Sequence, residues 1–430
     1  MKRGGKNILF VAPTNELKAG GEISHFELIK SAKKRGYKVH VVLPARGKFN
    51  NELKKLTIPR LVVKYFYWQS NMTGDIELSN LVAVDKIIQY IEQESIDCVV
   101  TNTLNLPWGA LAAALSNKPH IWIAREFPRE EFSYLLDRYD FIQNYSNVIM
   151  ANSKKLADYM QTKLKLKNTK YFFSYVNAAQ LKLSNTTKPA RIVHVGAILP
   201  RKNQLHTIKM LALLEKKYQL KPTLLFIGTY NLNDNYYQEL TSAIYKYKLQ
   251  DRVVFKGHTN TPYSLVCTND IIFQPSKSES IGRVVTEAMK LGLITVGSDI
   301  DGNKEAFNFG GGYIYKSGDV KESAKIISDI LKNLDKYKVE ATTIQKIALK
   351  NMSEQKCSDP FFKELNLVIN QANPQKAIQS VYPYLNIVSS INHKNKQLNE
   401  YRNHLAAIEE TRSRKIIMSL NTLLRRRGTK

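Results

Sequence analysis

The chain has 430 residues, which predicts more than one domain, and its 43% of hydrophobic residues is typical of globular domains with sizeable cores. No apolar run reaches the roughly 18–20 residues of a membrane-spanning helix, and the three widely separated cysteines predict neither a disulfide framework nor a zinc site. The formal net charge of +27 predicts an anionic partner, and charge alone leaves open whether this is nucleic acid, an acidic membrane surface or a phosphate-bearing substrate.

The first part of the chain alternates strands and helices. The short apolar run at residues 8–12 predicts a first strand and not a signal peptide, so we expect a cytoplasmic protein. An amphipathic helix follows, with Gly20 and Gly21 at its start and Gly36 where a left-handed cap is needed. Further apolar segments predict strands at 39–44, 98–102, 120–126 and 146–153. Such strands, separated by helices, indicate a parallel sheet covered on both faces.

A polar stretch at residues 177–190 predicts a domain boundary, after which the alternation begins again. The new series has strand-like segments at 191–197, 223–229, 252–258, 270–276 and 293–298. We therefore expect two consecutive doubly wound α/β domains, at 1–180 and 188–370, followed by a tail at 371–430. In open sheets of this kind, ligands bind beyond the carboxyl ends of the strands.

Glu279 and Glu287 lie beyond one such strand end, in a loop and on the helix that follows it. The pattern predicts a helix that begins near Gly282, with Ser280 as its N-cap and with free first-turn amides near Gly282 and Arg283 that suit a phosphate. The spacing is equally compatible with a surface ion pair between Arg283 and Glu287. Arg201 and Lys202, which follow another strand, suit a diphosphate in the same way, although solvated basic pairs in loops are common.

These segments resemble the retaining glycosyltransferases of the GT-B fold, glycosyltransferase family 4 (the group 1 glycosyltransferases). The resemblance covers roughly residues 6–335, and its most specific element is the E-x7-E signature in "ESIGRVVTEAMKLGLITVGS". The Gly-Gly turn, "VGAILPRKN" and "KEAFNFGGGYIYKSGD" stand in the family's order. The resemblance implies two doubly wound Rossmann-like domains that face a cleft, and the sequence adds a basic helical tail.

The resemblance also implies roles for individual residues. Glu279 would bind the hydroxyls of the donor sugar, Glu287 the ribose, and Lys202 the diphosphate. The segment from Ile281 through Gly282 to Arg283 would cradle phosphate. The remaining predicted donor contacts are Gly21 from the first domain, Arg201, and Lys256, Gly257 and His258 beside the nucleobase.

Two departures from the family pattern qualify these roles. The family usually has arginine directly after the glycine that matches Gly196, whereas this chain has Ala197, so Arg201 or Arg283 would supply the missing phosphate contact. The family often has histidine after the strand at 120–124, whereas this chain has Arg125 and Glu126 there. We expect Glu126 to contact sugar or acceptor, as a third catalytic residue beside Glu279 and Lys202.

We expect neither a cofactor nor a metal, because the D-x-D pair Asp299 and Asp301 fits a turn after a strand. At the chain end, Ile416, Leu420 and Leu424 share one helical face that arginines and lysines flank. This pattern predicts that residues 404–430 bind an anionic membrane surface, with an interaction helix or a disordered tail as alternatives.

The sequence therefore predicts a retaining, hexosyl-type glycosyltransferase. Its donor would be a nucleotide diphosphate sugar and its acceptor a glycan or lipid-linked glycan, in bacterial surface polysaccharide or wall-polymer synthesis. A nucleotide-sugar epimerase or a phosphorylase of the same fold is the main alternative. A nucleic-acid-binding protein would need a reader motif, and we find none in the sequence.

Overall fold

The computed structural model describes residues 5–67, 74–128, 139–186 and 188–371. Within these ranges the chain forms two compact units. The first unit contains the chain up to Phe173 and again from Ser358 onward, and the second unit runs from Ser174 to Cys357. The predicted division at 1–180 and 188–370 differs from this mainly in the segment after Ser358.

The first unit is built on a seven-stranded sheet with the order β3-β2-β1-β4-β5-β6-β7, in which every pairing is parallel. Its strands are β1 (Asn7–Val11), β2 (Lys38–Leu43), β3 (Arg60–Val62), β4 (Cys98–Asn102), β5 (His120–Ala124), β6 (Val148–Ala151) and β7 (Thr169–Tyr171). The central strands are buried along their whole length, as the unbroken apolar runs in the sequence predict.

Helices lie between these strands, and one hydrophobic cluster covers each face of the sheet. The helices are α1 (Gly20–Lys34), α2 (Lys48–Lys55), α3 (Gly74–Gln93), α4 (Trp108–Leu115), α5 (Tyr139–Asn144) and α6 (Lys154–Thr162). Helix α1 begins at the predicted Gly-Gly pair, where Glu22 accepts the amide of Ala19 at 2.8 Å. It ends before Gly36, whose φ of 89° is the predicted left-handed conformation.

The second unit repeats the architecture with a six-stranded sheet of order β10-β9-β8-β11-β12-β13. Its strands are β8 (Ile192–Val195), β9 (Leu224–Ile227), β10 (Val253–Phe255), β11 (Ile271–Gln274), β12 (Ile294–Ser298) and β13 (Tyr313–Tyr315). Its helices are α7 (Gln204–Tyr218), α8 (Asn235–Lys246), α9 (Arg283–Lys290), α10 (Asp301–Phe307), α11 (Val320–Lys332) and α12 (Leu334–Asn351). Both units thus have the predicted parallel α/β architecture.

The last described helix, α13 (Glu354–Asn370), begins in the second unit and continues in the first. Phe361 and Leu365 are fully buried in the core of the first unit, and Asp359 pairs with Arg35 there. The helix therefore returns the chain to the first sheet. The predicted basic helical tail lies beyond residue 371, outside the described residues. No helix in the described part of the chain combines the length and the apolar character that crossing a membrane requires.

Candidate functional site

Two adjacent strands of the second sheet, β8 and β11, end side by side and lead into two polar turns. Residues 196–203 follow β8, and residues 275–282 follow β11. The amide of Lys277 donates to the carbonyl of Arg201 at 2.8 Å, and the Asn203 side chain donates to the carbonyl of Pro275 at 3.1 Å. Asn203 has a φ of 59°, a left-handed conformation that asparagine tolerates. These bonds hold the two turns together as one surface.

Lys202 and Glu279 form an ion pair on this surface, between Nζ and Oε1. The same carboxylate oxygen accepts the hydroxyl of Ser276 at 2.8 Å and the amide of Gln274 at 3.3 Å. Both charged side chains are 12–14% exposed, so each still meets solvent at the rim. The structure thus brings together two of the predicted catalytic residues and fixes the carboxylate from three sides.

The pKa of Glu279 results from opposing effects. Burial of the carboxyl would raise its pKa, but the Lys202 ammonium, the Arg201 guanidinium and the Ser276 hydrogen bond together outweigh burial. The pKa of Glu279 is therefore lowered from its ordinary value, and the group is a carboxylate at neutral pH. A carboxylate of this kind can accept hydrogen bonds from sugar hydroxyls.

The first turn of helix α10 packs against the backbone of the Glu279 loop. A side chain at Gly302 would place its Cβ 2.4 Å from the carbonyl oxygen of Glu279, so only glycine fits there. The amide of Gly282 donates to the carbonyl of Gly302 at 3.1 Å, and Asn303 donates to Ser298 on β12. Sequence analysis did not identify these supporting residues, because they lie after a different strand.

The start of helix α9 differs from the predicted one in two respects. Its N-cap is Gly282 and not Ser280, and the amides predicted to be free are both engaged. Gly282 donates to Gly302 as described, and the amide of Arg283 donates to the carbonyl of Ile281 at 2.8 Å. The amides of Val284 and Val285 have no backbone carbonyl partner within the described residues. The first-turn amides without a backbone partner therefore lie one to two residues further along than predicted.

Glu287 lies one turn into α9 and has two partners. Oε1 pairs with Nε of Arg283 at 2.7 Å, and Oε2 accepts the hydroxyl of Tyr263 at 3.0 Å. The ion pair that spacing predicted is present, yet it is 10–15% exposed and not on the open surface. Tyr263 is fully buried, so it fixes the glutamate from the protein side. Tyr263 lies in no recognisable motif, so nothing in the sequence distinguished it.

Lys256, Gly257 and His258 follow β10, at the same edge of the sheet but on the other side of β8 from Glu279. The Gly228 amide donates to the carbonyl of Gly257 at 2.9 Å, which joins the ends of β9 and β10. A Cβ at Gly228 would lie 2.0 Å from the carbonyl oxygen of Gly196, so the backbone is closely packed across these turns. The side chains of Lys256 and His258 are exposed above it.

The remaining predicted site residues, Gly21 and Glu126, lie in the first unit, where the carboxyl ends of β1, β4 and β5 meet. Thr103 donates its hydroxyl to Oε1 of Glu126 at 2.9 Å, and buried Arg125 donates from Nε to Asn102 at 2.5 Å. A Cβ at Gly21 would stand 3.5 Å from the Arg125 side chain. Together these groups form a polar cluster in the first unit.

Two features of this first-unit cluster were not predicted. Thr103 has a φ of 76°, a strained conformation for a β-branched residue. His25 on α1 is fully buried, and neither ring nitrogen has a hydrogen-bond partner among the residues the structure describes. Burial, and secondarily Arg125, lowers the pKa of His25 well below its usual value, so the ring is neutral. Nothing in the sequence distinguished His25 from an ordinary core histidine.

Burial is also the main influence on the pKa of Glu126. It raises the pKa of the carboxyl above the ordinary value, although Thr103 and Arg125 act in the opposite direction. A carboxyl group with a raised pKa is poised to exchange a proton nearer neutral pH.

The D-x-D pair lies where strand β12 leads into helix α10. Asp299 accepts the amide of Ser317 at 2.7 Å and lies 3.5 Å from the ammonium of Lys304. Asp301 is the first residue of helix α10.

Two parallel α/β units, each with polar residues at the carboxyl edge of its sheet, are the architecture of the GT-B glycosyltransferases. Residues 177–343 match the family of glycosyl transferases group 1, and residues 19–172 match Glycosyltransferase Family 4. Each unit thus contains one match to a glycosyltransferase family.

Individual relatives agree with this assignment. A capsular polysaccharide biosynthesis glycosyltransferase, CapH from Staphylococcus aureus, is 25% identical over 113 residues, which are 26% of this chain and 31% of that protein. The match therefore spans about a third of the curated relative. HepE from Anabaena, in a crystal structure with UDP and glucose, superposes with a TM-score of 0.70 at 23% identity, over 84% of this chain and 100% of that chain. A glycosyltransferase from Rickettsia africae superposes with a TM-score of 0.70 at 18% identity, over 86% and 100%.

Proposed function

We propose that the protein is a retaining glycosyltransferase that moves a hexose-type sugar from a nucleotide diphosphate sugar to a glycan or lipid-linked acceptor. The observation that carries this proposal is the pairing of Lys202 with Glu279 at the ends of β8 and β11. A cation for the diphosphate and a carboxylate for the sugar thus stand at bonding distance from each other. Retention of configuration rests on the resemblance of the E-x7-E segment to retaining enzymes.

The reaction breaks the bond between the anomeric carbon and the diphosphate oxygen and forms a bond from that carbon to an acceptor hydroxyl oxygen. The acceptor loses its proton, and the departing diphosphate gains negative charge. Lys202 and Arg201, together with the first-turn amides of α9, would stabilise this charge without reorganisation. No step in this scheme needs a redox cofactor.

The other site residues take positions around the same donor. Glu279 would orient the sugar through its hydroxyls, and Glu287 would accept the ribose hydroxyls. The phosphates would meet the first-turn amides of Val284 and Val285, just beyond the predicted Ile281–Gly282 segment, and Lys256 and His258 would border the nucleobase. In the first unit, Gly21 would leave room for the donor, and Glu126 would contact the sugar or the acceptor.

The acceptor proposal has a different basis. The net charge of +27 and the basic residues at 404–430 favour an anionic membrane surface, where lipid-linked glycans are found. The partial relative from capsule biosynthesis favours a surface polysaccharide. We therefore propose a cytoplasmic protein that binds peripherally to the inner face of the membrane.

The experiment that tests this function begins with thermal shifts in the presence of UDP-, GDP-, ADP- and dTDP-sugars. The sugar nucleotide with the largest shift is then incubated with and without a membrane glycolipid extract. We expect release of the nucleoside diphosphate and a new glycoside only when both are present. Interconversion of the sugar nucleotide without an acceptor would instead identify an epimerase and contradict the proposal.

A further inference from the structure

Lys290, the last residue of helix α9, is a lysine in the interior of the second unit. Its side chain is 3% exposed. The ammonium nitrogen donates to the carbonyl of Val176 at 2.8 Å and to the carbonyl of Met352 at 2.7 Å, and it stands 4.6 Å from the ring centre of Tyr175. Lysine is seldom buried unless its charge has partners, and here the partners are two backbone carbonyls and an aromatic ring.

The two carbonyls lie at the two ends of the second unit. The chain enters this unit at Ser174, just before Val176, and leaves it after Cys357, shortly beyond Met352. One side chain thus holds the backbone at both places where the chain passes between the units. Lys290 also receives support from α12, because Gln345 donates to its carbonyl at 3.0 Å.

The groups around Lys290 set its charge state. Burial lowers the pKa of Lys290, the Cys357 thiol on α13 opposes this, and Arg283 on the same helix adds to it, so that the pKa is about 8. Tyr175 contributes the face of its ring. The ammonium forms charge-assisted hydrogen bonds with the carbonyls, whereas the neutral amine would form weaker ones.

We propose that Lys290 is a positioning residue that fastens both ends of the second unit to helix α9, the helix that carries Glu287. Without its ammonium, two buried carbonyls lose their donor, and the chain segments at 174–176 and 352–357 open locally. This role of Lys290 involves only the backbone of this chain, so it does not depend on the proposed transfer reaction.

The chain carries its own probe for this opening. Cys357 lies in the second crossing segment and is 1% exposed, while Cys98 and Cys267 are equally buried elsewhere. N-ethylmaleimide labels each cysteine at a rate that peptide mass spectrometry can measure. The rate at Cys357 therefore reports local opening of its segment, and the rates at Cys98 and Cys267 serve as internal references. Lys290→Met removes the charge at similar length, Lys290→Arg retains it, and the exposed Lys346→Met serves as the matched control.

At pH 7 we expect Lys290→Met to label Cys357 about tenfold faster than wild type, while Cys98 and Cys267 change by less than about twofold, as expected for a local opening. Lys290→Arg should restore much of the protection, and Lys346→Met should match wild type. Thiol reactivity cannot explain such an increase. Burial raises the pKa of Cys357 to about 11 and Lys290 lowers it, so loss of the ammonium makes this thiol less reactive.

The pH dependence gives a second readout. In wild type, the ratio of Cys357 labelling to Cys98 labelling should rise above about pH 8 as Lys290 loses its proton. In Lys290→Arg the ratio should stay constant. Equal acceleration of all three cysteines in Lys290→Met would indicate a general loss of stability and overturn the proposal. An unchanged Cys357 rate would overturn it as well.

Discussion

Glu279 and Lys202 are 77 positions apart in the sequence, and their side chains form an ion pair at the carboxyl edge of the second sheet. The pair exists because β8 and β11 are neighbours in the sheet and each leads directly into a polar turn. The Glu279 carboxylate has further partners, since it also accepts hydrogen bonds from Ser276 and Gln274. A donor diphosphate that approached Lys202 would compete for a cation that Glu279 already holds.

Removing either member of this pair should cost activity more than stability. We expect Glu279→Gln and Lys202→Met each to lower kcat/KM by about 10²–10³, because each removes a group that contacts the donor in the transition state. The measurement is nucleoside diphosphate release with the donor identified by thermal shift. Turnover at the wild-type level in both variants would contradict the assignment of these residues.

The same two variants test the coupling between the charges. Each single substitution leaves one partly buried charge without its partner, whereas the double variant leaves none. We therefore expect the double variant to lose less unfolding free energy than the sum of the two singles. Urea unfolding of all four proteins gives this comparison, and strict additivity would show that the pair is energetically independent.

Ser276 should act on the reaction only through Glu279. Ser276→Ala removes the 2.8 Å hydrogen bond to the carboxylate but no group that touches the donor. We expect kcat to fall about tenfold, in keeping with one lost hydrogen bond to a charged group, while nucleotide affinity stays close to wild type. Ser317→Ala, at an exposed serine, is the control and should leave both quantities unchanged.

Much of this surface follows from the sequence, and some of it does not. Apolar runs followed by helical patterns predict both sheets, and the position of Lys202 and Glu279 after strands predicts that they lie at the same edge. The support from Gly302 and Asn303 depends on how α10 lies against the Glu279 loop, which no local pattern encodes. The return of helix α13 to the first unit after Ser358 falls within the stretch 188–370 that the sequence assigned to the second domain, so it was not predicted.

Tyr263 should influence nucleotide binding and not the chemical step. Tyr263→Phe preserves the buried ring and removes the hydroxyl that holds Oε2 of Glu287 at 3.0 Å. We expect the dissociation constant of the nucleoside diphosphate to rise severalfold with kcat little changed, because a less firmly held Glu287 would bind the ribose less well. An effect confined to kcat would argue against a ribose contact for Glu287.

Glu126 should show opposite effects on stability and activity. Its pKa is raised in the folded protein, so its favourable contribution to stability is present below the unfolded pKa of about 4.3 and is lost as pH rises through the folded pKa. Glu126→Gln removes the free-energy cost of ionising this buried carboxyl in the folded protein. Relative to wild type, its unfolding free energy should therefore increase between pH 4 and pH 8, while transfer activity decreases.

Denaturant unfolding at both pH values measures the first effect, and product formation measures the second. A Glu126→Gln variant whose unfolding free energy relative to wild type falls between pH 4 and pH 8, or that retains full transfer activity, would contradict the role proposed for this carboxyl in the first unit.

The most direct test of the central claim is calorimetric titration of UDP, GDP, ADP and dTDP into wild type, Lys202→Met and Glu279→Gln. We expect at least one nucleotide to bind wild type and Lys202→Met to weaken this binding about tenfold or more, because Glu279 then faces the diphosphate without its cation. Glu279→Gln should bind the same nucleotide at least as tightly as wild type, since Lys202 is released. If no nucleotide binds, or if Lys202→Met binds as wild type does, the claim that this ion pair holds the donor diphosphate is wrong.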